Sequence, residues 1–208
     1  STTPEIGPEY DGQDLVLARG TFIVASELRL SSLTVGNGAD LLNAEGNLLD
    51  LDVSGTLWGG SGGRIDVSGR VYPVDVTYPG ETPSSADPSG GSHLGEGGVL
   101  RVGQVAGSTY GSVYFPMEKG AGETGAEGAG GGAVRIVASR VVVEGGEAPG
   151  TIAANGEDHE SWSSWGSAGG SVWISAGSIE GDGVIEARGG RGVWDRGGGG
   201  GGSIALEY

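Results

Sequence analysis

The chain has 208 residues, 47 of them glycine and none of them cysteine, and its 11 basic and 27 acidic residues give a formal net charge of -16. This charge opposes binding to nucleic acid or to anionic lipid headgroups, and the lack of cysteine excludes a disulfide framework and a thiolate nucleophile. No apolar run of eighteen residues occurs, so no membrane span is predicted.

The first 14 residues are predicted to be an irregular lead-in to a single domain that occupies residues 1–208. Beyond them, apolar residues are mostly Val, Ile and Leu and alternate with polar ones, which favours strands. No window has apolar residues at helical spacing over three turns. The sequence therefore predicts an all-β protein.

A repeat of two glycines followed by alternating apolar residues dominates the chain. Its first apolar residues stand at positions 65, 100, 134, 172 and 204, which gives offsets of 35, 34, 38 and 32. A glycine turn that leads into a short strand at a nearly constant period is typical of stacked supersecondary units. We therefore predict a right-handed parallel β-solenoid (β-helix) of six or seven coils with long glycine-rich loops on one side. The five copies lie at residues 62–67, 97–102, 131–136, 169–174 and 201–206.

The glycine-rich segments between the copies allow two interpretations. Solenoids commonly carry long insertions on one face, which fits loops at residues 78–98, 120–132, 156–170 and 189–202. Alternatively, these segments pack as polyproline II-type helices, whose carbonyl groups accept hydrogen bonds from neighbouring segments.

Seven motifs follow one another in a characteristic order and spacing. They are Ile65–Arg70, Gly90–Gly98, Tyr110–Tyr114, Gly130–Val137, Gly150–Gly156, Gly169–Ala176 and Gly197–Tyr208. Through these motifs, from about Ile65 to Tyr208, the chain resembles a glycine-rich repeat region of large secreted and cell-surface proteins, mainly of bacteria and archaea. The strand spacing is also similar to that of filamentous-haemagglutinin-type adhesins. The resemblance implies an extracellular stalk, adhesin or matrix module and brings no catalytic residues. This chain differs by carrying charged residues in place of loop glycines, as at residues 156–160.

Tryptophans in the C-terminal glycine-rich segments are candidate ligand-binding residues. Trp162, Trp165 and Trp194 stand among small residues. Exposed indole rings offer flat platforms for sugar rings, which predicts a carbohydrate-binding module as the alternative function. The competing interpretation is that these rings anchor the glycine-rich chain on the wall of the fold.

Acidic residues in one loop are candidate calcium ligands. Glu157, Asp158 and Glu160 offer the hard oxygen atoms that calcium prefers, although they match no established calcium-binding motif. A solvated loop is the competing interpretation. No other cofactor is predicted.

Catalytic residues are scarce. Only two histidines occur, and neither a serine nucleophile elbow nor a phosphate-binding loop is present. A β-helix polysaccharide lyase or glycosidase would use carboxylates on one exposed sheet, for which Asp50, Asp52 and Asp66 beside Arg64 are the candidates. We predict that the protein is not an enzyme and keep this chemistry as a further alternative.

The last copy of the repeat indicates assembly. Ile204, Leu206 and Tyr208 lie on a strand after which no capping segment follows, and such a strand offers unpaired backbone groups to a partner. The predicted function is an extracellular structural or adhesive surface module that self-associates end to end into a fibre or binds other surface proteins or glycans.

Overall fold

Two groups of short parallel strands make up the body of the protein. The computed structural model describes residues 3–71, 79, 89–123, 128–158 and 164–208. Within these ranges the chain forms a 3-10 helix at Pro8–Tyr10 and the strands β1 Glu5–Ile6, β2 Asp14–Leu17, β3 Gly20–Val24, β4 Leu28–Leu30, β5 Ser32–Val35, β6 Ala39–Asn43, β7 Leu49–Gly59, β8 Arg64–Asp66, β9 Ala133–Val143, β10 Thr151–Ala153, β11 Ser171–Ala176, β12 Ile179–Glu180, β13 Val184–Glu186 and β14 Ser203–Glu207.

The strands are arranged in one sheet of six strands and one of eight. The six-stranded sheet has the order β1-β3-β6-β8-β10-β13, and the eight-stranded sheet has the order β14-β11-β9-β7-β5-β2, with β4 on β7 and β12 on β9. Every pair between these strands is parallel. The chain passes repeatedly from one sheet to the other.

A single apolar core is built from the inward residues of both sheets. In the eight-stranded sheet, Leu51 pairs with Ile136, Ile136 with Ile174, and Ile174 with Leu206. In the six-stranded sheet, Ile152 pairs with Ile65 and Ile185. Each inward apolar residue therefore packs against an equivalent residue on the next strand, and this burial is the main stabilising contribution to the fold.

The glycine-rich segments pack on one another through their backbones. We call residues 89–98, 119–123, 128–132, 154–158, 164–170, 187–192 and 197–202 the glycine bundle. In it, Gly91 N–H donates to Gly166 O at 3.0 Å, and Gly169 N–H donates to Gly200 O at 2.9 Å. A Cβ atom on Gly190 would lie 1.8 Å from the carbonyl oxygen of Glu157, so only glycine allows this close approach. These hydrogen bonds join segments that lie outside the two sheets.

The predicted right-handed β-solenoid with glycine-rich loops on one side is wrong, although the all-β content is confirmed. The strands belong to two parallel sheets of six and eight strands. The five copies of the repeat are also not equivalent: the first forms β8 in the six-stranded sheet, whereas the last three form β9, β11 and β14 in the eight-stranded sheet. The copy at residues 97–102 forms no strand, and its Val102 is fully exposed. Two glycines followed by alternating apolar residues suit either sheet or a turn, so the period did not specify the architecture.

The predicted irregular lead-in at residues 1–14 contains both β1 and the 3-10 helix. Tyr10, from that helix, packs against the core. Across the described ranges, no helix has the length and apolar character needed to cross a membrane.

Candidate functional site

The predicted ligand-binding tryptophans lie in different environments. The Trp165 side chain is 2% exposed, its backbone N–H donates to Glu123, and the guanidinium of Arg196 lies 5.2 Å from the centre of its ring. Trp194 is 76% exposed and has a φ of 59°. Trp162 lies outside the described residues. A ligand at the surface therefore reaches Trp194 but not the buried ring of Trp165.

Two of the three predicted calcium ligands already have protein partners. Glu157 accepts a hydrogen bond from the backbone N–H of Ala129 at 2.9 Å, and Asp158 accepts one from the backbone N–H of Arg191 at 2.7 Å. Glu160 lies outside the described residues. In the part of the chain that the structure describes, no three His, Asp or Glu side chains cluster as a metal site would require.

The carboxylates considered for catalysis are divided between the two sheets. Asp50 and Asp52 lie on β7 in the eight-stranded sheet, whereas Asp66 lies on β8 in the six-stranded sheet. Asp50 forms an ion pair with Arg135 at 2.6 Å, and Asp66 forms one with Arg64. Asp50 and Asp52 lie on the same side of β7, because Leu51 between them is buried, but Asp50 is held in an ion pair with Arg135. Asp66 and Arg64 lie on the other sheet, so the four residues do not form one cluster.

Two of the predicted assembly residues, Ile204 and Leu206, lie on β14 at the edge of the eight-stranded sheet, and Tyr208 directly follows this strand. Ile204 and Leu206 are 42% and 43% exposed, and Tyr208 is 86% exposed. Ile204 pairs with Val172 on β11, and Leu206 pairs with Ile174 on the same strand. In contrast to the β14 residues, Val172 and Ile174 are both 0% exposed. The inward apolar rows of the sheet therefore reach the surface at β14.

A second feature of the eight-stranded sheet was not predicted from the sequence. On the solvent side of β5, β7 and β9 there is a shallow hollow of about 440 Å³. We call it the outer-face hollow. It is lined by Ser32, Thr34, Thr56, Trp58, Arg140, Val142 and Glu144.

The strand register places Trp58 at the centre of this hollow. Trp58 pairs with Thr34 on β5 and with Val142 on β9, and Thr56 pairs with Arg140. Leu57, which separates Thr56 from Trp58, is 0% exposed, so Thr56 and Trp58 point to the opposite, solvent side. Trp58 is 41% exposed.

A bidentate ion pair lies beside the hollow. Arg140 donates from Nε to Oε1 of Glu180 at 2.9 Å and from Nη2 to Oε2 at 2.6 Å. Hydrogen bonds from Arg140 and Ser178 lower the pKa of Glu180 to about 2. The pair fixes the plane of the guanidinium, because both groups are forked and planar.

The sequence contained one signal for the hollow. Thr34 stands between the buried residues Leu33 and Val35, and Trp58 follows buried Leu57, so a tryptophan occupies a position where period-two alternation calls for a polar residue. Nothing in the sequence, however, indicated that Arg140 would join these residues, since that depends on the pairing of β7 with β9 across a long excursion of the chain.

Another aromatic cluster on the eight-stranded sheet is closed by its own contacts. Phe115 meets Trp173 edge to face at a ring separation of 5.5 Å, and Arg135 covers the same tryptophan at 5.4 Å while paired to Asp50. These contacts fasten the segment around Phe115 to β11.

His93 is the buried histidine of the glycine bundle. Its ring is 0% exposed and its Nδ1 lies 2.8 Å from the carbonyl oxygen of Gly169, whereas its Nε2 has no hydrogen-bond partner among the described residues. Desolvation lowers the pKa of His93, although the hydrogen bond to Gly169 and the charge of Glu118 oppose this effect. The imidazole is therefore held neutral, with its Nδ1–H donating to Gly169.

Comparison with known proteins gives no match: no protein-family model matches the chain, and neither a curated protein nor a solved structure is significantly similar to it.

Proposed function

We propose that the protein is an extracellular, non-enzymatic structural and adhesive surface module that associates with further copies through the edge of its eight-stranded sheet. The observation that carries this proposal is the contrast between β11 and β14. Ile174 on β11 pairs with Leu206 on β14, yet Ile174 is 0% exposed and Leu206 is 43% exposed. Apolar side chains that continue a core row and still face water favour burial by a further strand.

The two ends of the sheets differ in a way that supports this choice of surface. At the β1 and β2 end, Ile6 and Leu17 are 4% and 3% exposed, and Tyr10 packs against the core. The β14 end has no comparable cover among the described residues. Association through β14 therefore buries more apolar surface than association through the opposite end.

Composition and resemblance support the location and the class. The net charge of -16 keeps separate copies soluble through mutual repulsion, so association requires a specific apolar contact. The resemblance to glycine-rich regions of secreted and surface proteins supports the extracellular assignment. The ion pairs that hold Asp50 and Asp66 support a role without catalysis.

Sedimentation velocity over a range of protein concentrations tests this proposal. The wild-type protein is expected to associate as concentration rises, and Leu206→Asp is expected to weaken association about tenfold or more, because it puts a charge into the apolar contact. Ala205→Asp is the matched control, since Ala205 is next to Leu206 on β14 but pairs with Trp173 on the other face of the sheet. It is expected to associate as the wild type does.

Negative-stain images of the same samples distinguish a growing fibre from a finite pair of copies joined at β14. A wild-type protein that stays monomeric at every concentration would contradict the proposal. Equal association of the Leu206→Asp and Ala205→Asp proteins would also contradict it, because the contact would then lie elsewhere.

A further inference from the structure

We propose that the outer-face hollow binds a neutral hexopyranose unit of a glycan, with the indole of Trp58 as its platform. This site is separate from the β14 edge and goes beyond the structural role proposed above. Its size supports the assignment, because about 440 Å³ falls in the range of small-molecule sites in proteins.

The first argument is the aromatic surface. The C–H bonds on one side of a hexopyranose form an apolar patch that packs on the electron-rich face of an indole. Trp58 is 41% exposed and lies between Thr34 and Val142 in the strand register, at about 4.8 Å from strand to strand. The ring therefore has an apolar neighbour on one side and a hydroxyl on the other, which matches a ligand with an apolar face and a polar rim.

The second argument is the set of free polar groups around the ring. Among the described residues, the hydroxyls of Thr34 and Thr56 have no hydrogen-bond partner, whereas Ser32 donates to Asp14 at 2.6 Å and keeps its acceptor capacity. A hydroxyl both donates and accepts, which is also true of every hydroxyl of a sugar. These three side chains can therefore pair with ligand hydroxyls without giving up an existing bond.

The third argument is the fixed position of Arg140. Glu180 holds its guanidinium through Nε and Nη2, so the remaining N–H groups stay available as oriented donors. Both Trp58 and Arg140 lie on the long paired strands β7 and β9. Side chains on paired strands are held more precisely than those on loops, and this reduces the ordering cost of binding.

Charge selects a neutral sugar over an acidic one. Arg140 contributes one positive charge, and it is balanced by Glu180 while Glu144 adds a further carboxylate to the lining. The Glu144 carboxylate accepts a hydrogen bond from the backbone N–H of Ser61 at 3.1 Å. The local charge is thus negative, as is the net charge of the whole chain, so a uronic acid or a sulfated sugar is repelled.

Isothermal titration calorimetry with the full chain tests the assignment. The probes are three neutral hexasaccharides, cellohexaose, laminarihexaose and mannohexaose, and one acidic probe, hexagalacturonate. At least one neutral probe is expected to bind, and hexagalacturonate is expected to bind more weakly. Trp58→Ala is expected to weaken binding about tenfold or more, and Trp58→Phe to recover part of the loss.

Two variants make the test specific. Tyr114→Ala removes an aromatic side chain that is 75% exposed but lies outside the hollow, and it is expected to bind as the wild type does. Thr56→Val keeps the shape of the hollow while removing one free hydroxyl, and it is expected to weaken binding without a change in thermal stability. It therefore tests the site even if Trp58→Ala fails to fold.

Three results would overturn the assignment. They are the absence of binding by all three neutral probes, tighter binding of hexagalacturonate than of any neutral probe, and unchanged binding by both Trp58→Ala and Thr56→Val. None of these results affects the sedimentation experiment, which measures contacts at β14.

Discussion

Two adjacent glycines of the glycine bundle are expected to respond to alanine in opposite directions. Gly200 is buried, and a Cβ atom there would lie 1.9 Å from the carbonyl oxygen of Gly95, whereas a Cβ atom on Gly201 would have nothing within 4 Å. Real Cβ atoms essentially never come closer than 3.0 Å to another heavy atom. In Gly200→Ala, the new Cβ atom and the carbonyl oxygen of Gly95 must therefore move apart by at least 3.0 minus 1.9, or about 1.1 Å.

The expected loss of stability in Gly200→Ala follows from the backbone hydrogen bonds around Gly200. Gly200 donates to Gly91 and accepts from Gly169, both at 2.9 Å, and Gly95 donates to Gly201 at 3.0 Å. A displacement of about 1.1 Å takes such bonds past the useful limit of about 3.5 Å. With a net value of about 1 kcal/mol for each of the three bonds, Gly200→Ala should lower the free energy of unfolding by about 3 kcal/mol.

Gly201→Ala is the control, because it changes the conformational freedom of the unfolded chain in the same way without a steric clash in the folded state. Its φ is not in the left-handed region, and its carbonyl still accepts from Gly95. Alanine reduces the conformational freedom of the unfolded state, so this variant should be unchanged or more stable by about 0.4 to 1 kcal/mol.

Thermal unfolding followed by differential scanning calorimetry checks both expectations. For a chain of this length, about 3 kcal/mol corresponds to a fall in the melting temperature of about 6 to 12 °C for Gly200→Ala. Equal melting temperatures for the two variants would refute the reasoning, since close backbone packing would then not depend on glycine at position 200.

Two predictions concern titration. Burial lowers the pKa of His93 in the folded state, so between this lowered pKa and about 6.5 the unfolded chain binds more protons than the folded one. The contribution of neutral His93 to the free energy of unfolding is therefore complete above about pH 6.5 and decreases as the pH drops below it. Urea unfolding at pH 7.5 and 5.5 should show this loss in the wild type and a smaller loss in His93→Gln; an equal loss in both would assign the effect to other groups. Because Arg140 lowers the pKa of Glu180 to about 2, the stability from this pair is present above the ordinary carboxyl pKa and is lost as the pH falls towards 2. Carboxyl resonances followed by NMR should place the Glu180 midpoint near 2 in the wild type and closer to the ordinary glutamate value in Arg140→Ala, where the Ser178 hydrogen bond remains. A midpoint that does not move would contradict the assigned cause.

Period-two alternation was a dependable guide to strands but not to their arrangement. It placed Ile136 and Ile174 on strands with their side chains inward, and both are 0% exposed. The same pattern at Val99 to Val102 failed, because those residues find no parallel neighbour and end in a turn. Alternation reports that one side of a segment is apolar, whereas the sheet it joins depends on contacts that are distant in the sequence.

The glycine-rich segments illustrate a second limit of sequence reasoning. Glycine at positions such as 166 and 190 is required by backbone atoms that belong to other segments, and no local pattern identifies those partners. Trp165 shows the same effect, since its small neighbours were compatible with either an exposed or a packed ring, and the glycine bundle closes over it. The outer-face hollow was hidden for a similar reason, because its residues come from β5, β7 and β9.

The hydrogen bond from Gly200 to Gly91 joins positions 200 minus 91, or 109, residues apart. Sheets built by adding one strand after another would be free to fray from their last strand inward. Here the chain just before β14 is fastened to a segment near the middle of the sequence, so peeling β14 away requires disruption of the glycine bundle as well. The terminal layer and the centre of the molecule should consequently unfold as one cooperative unit.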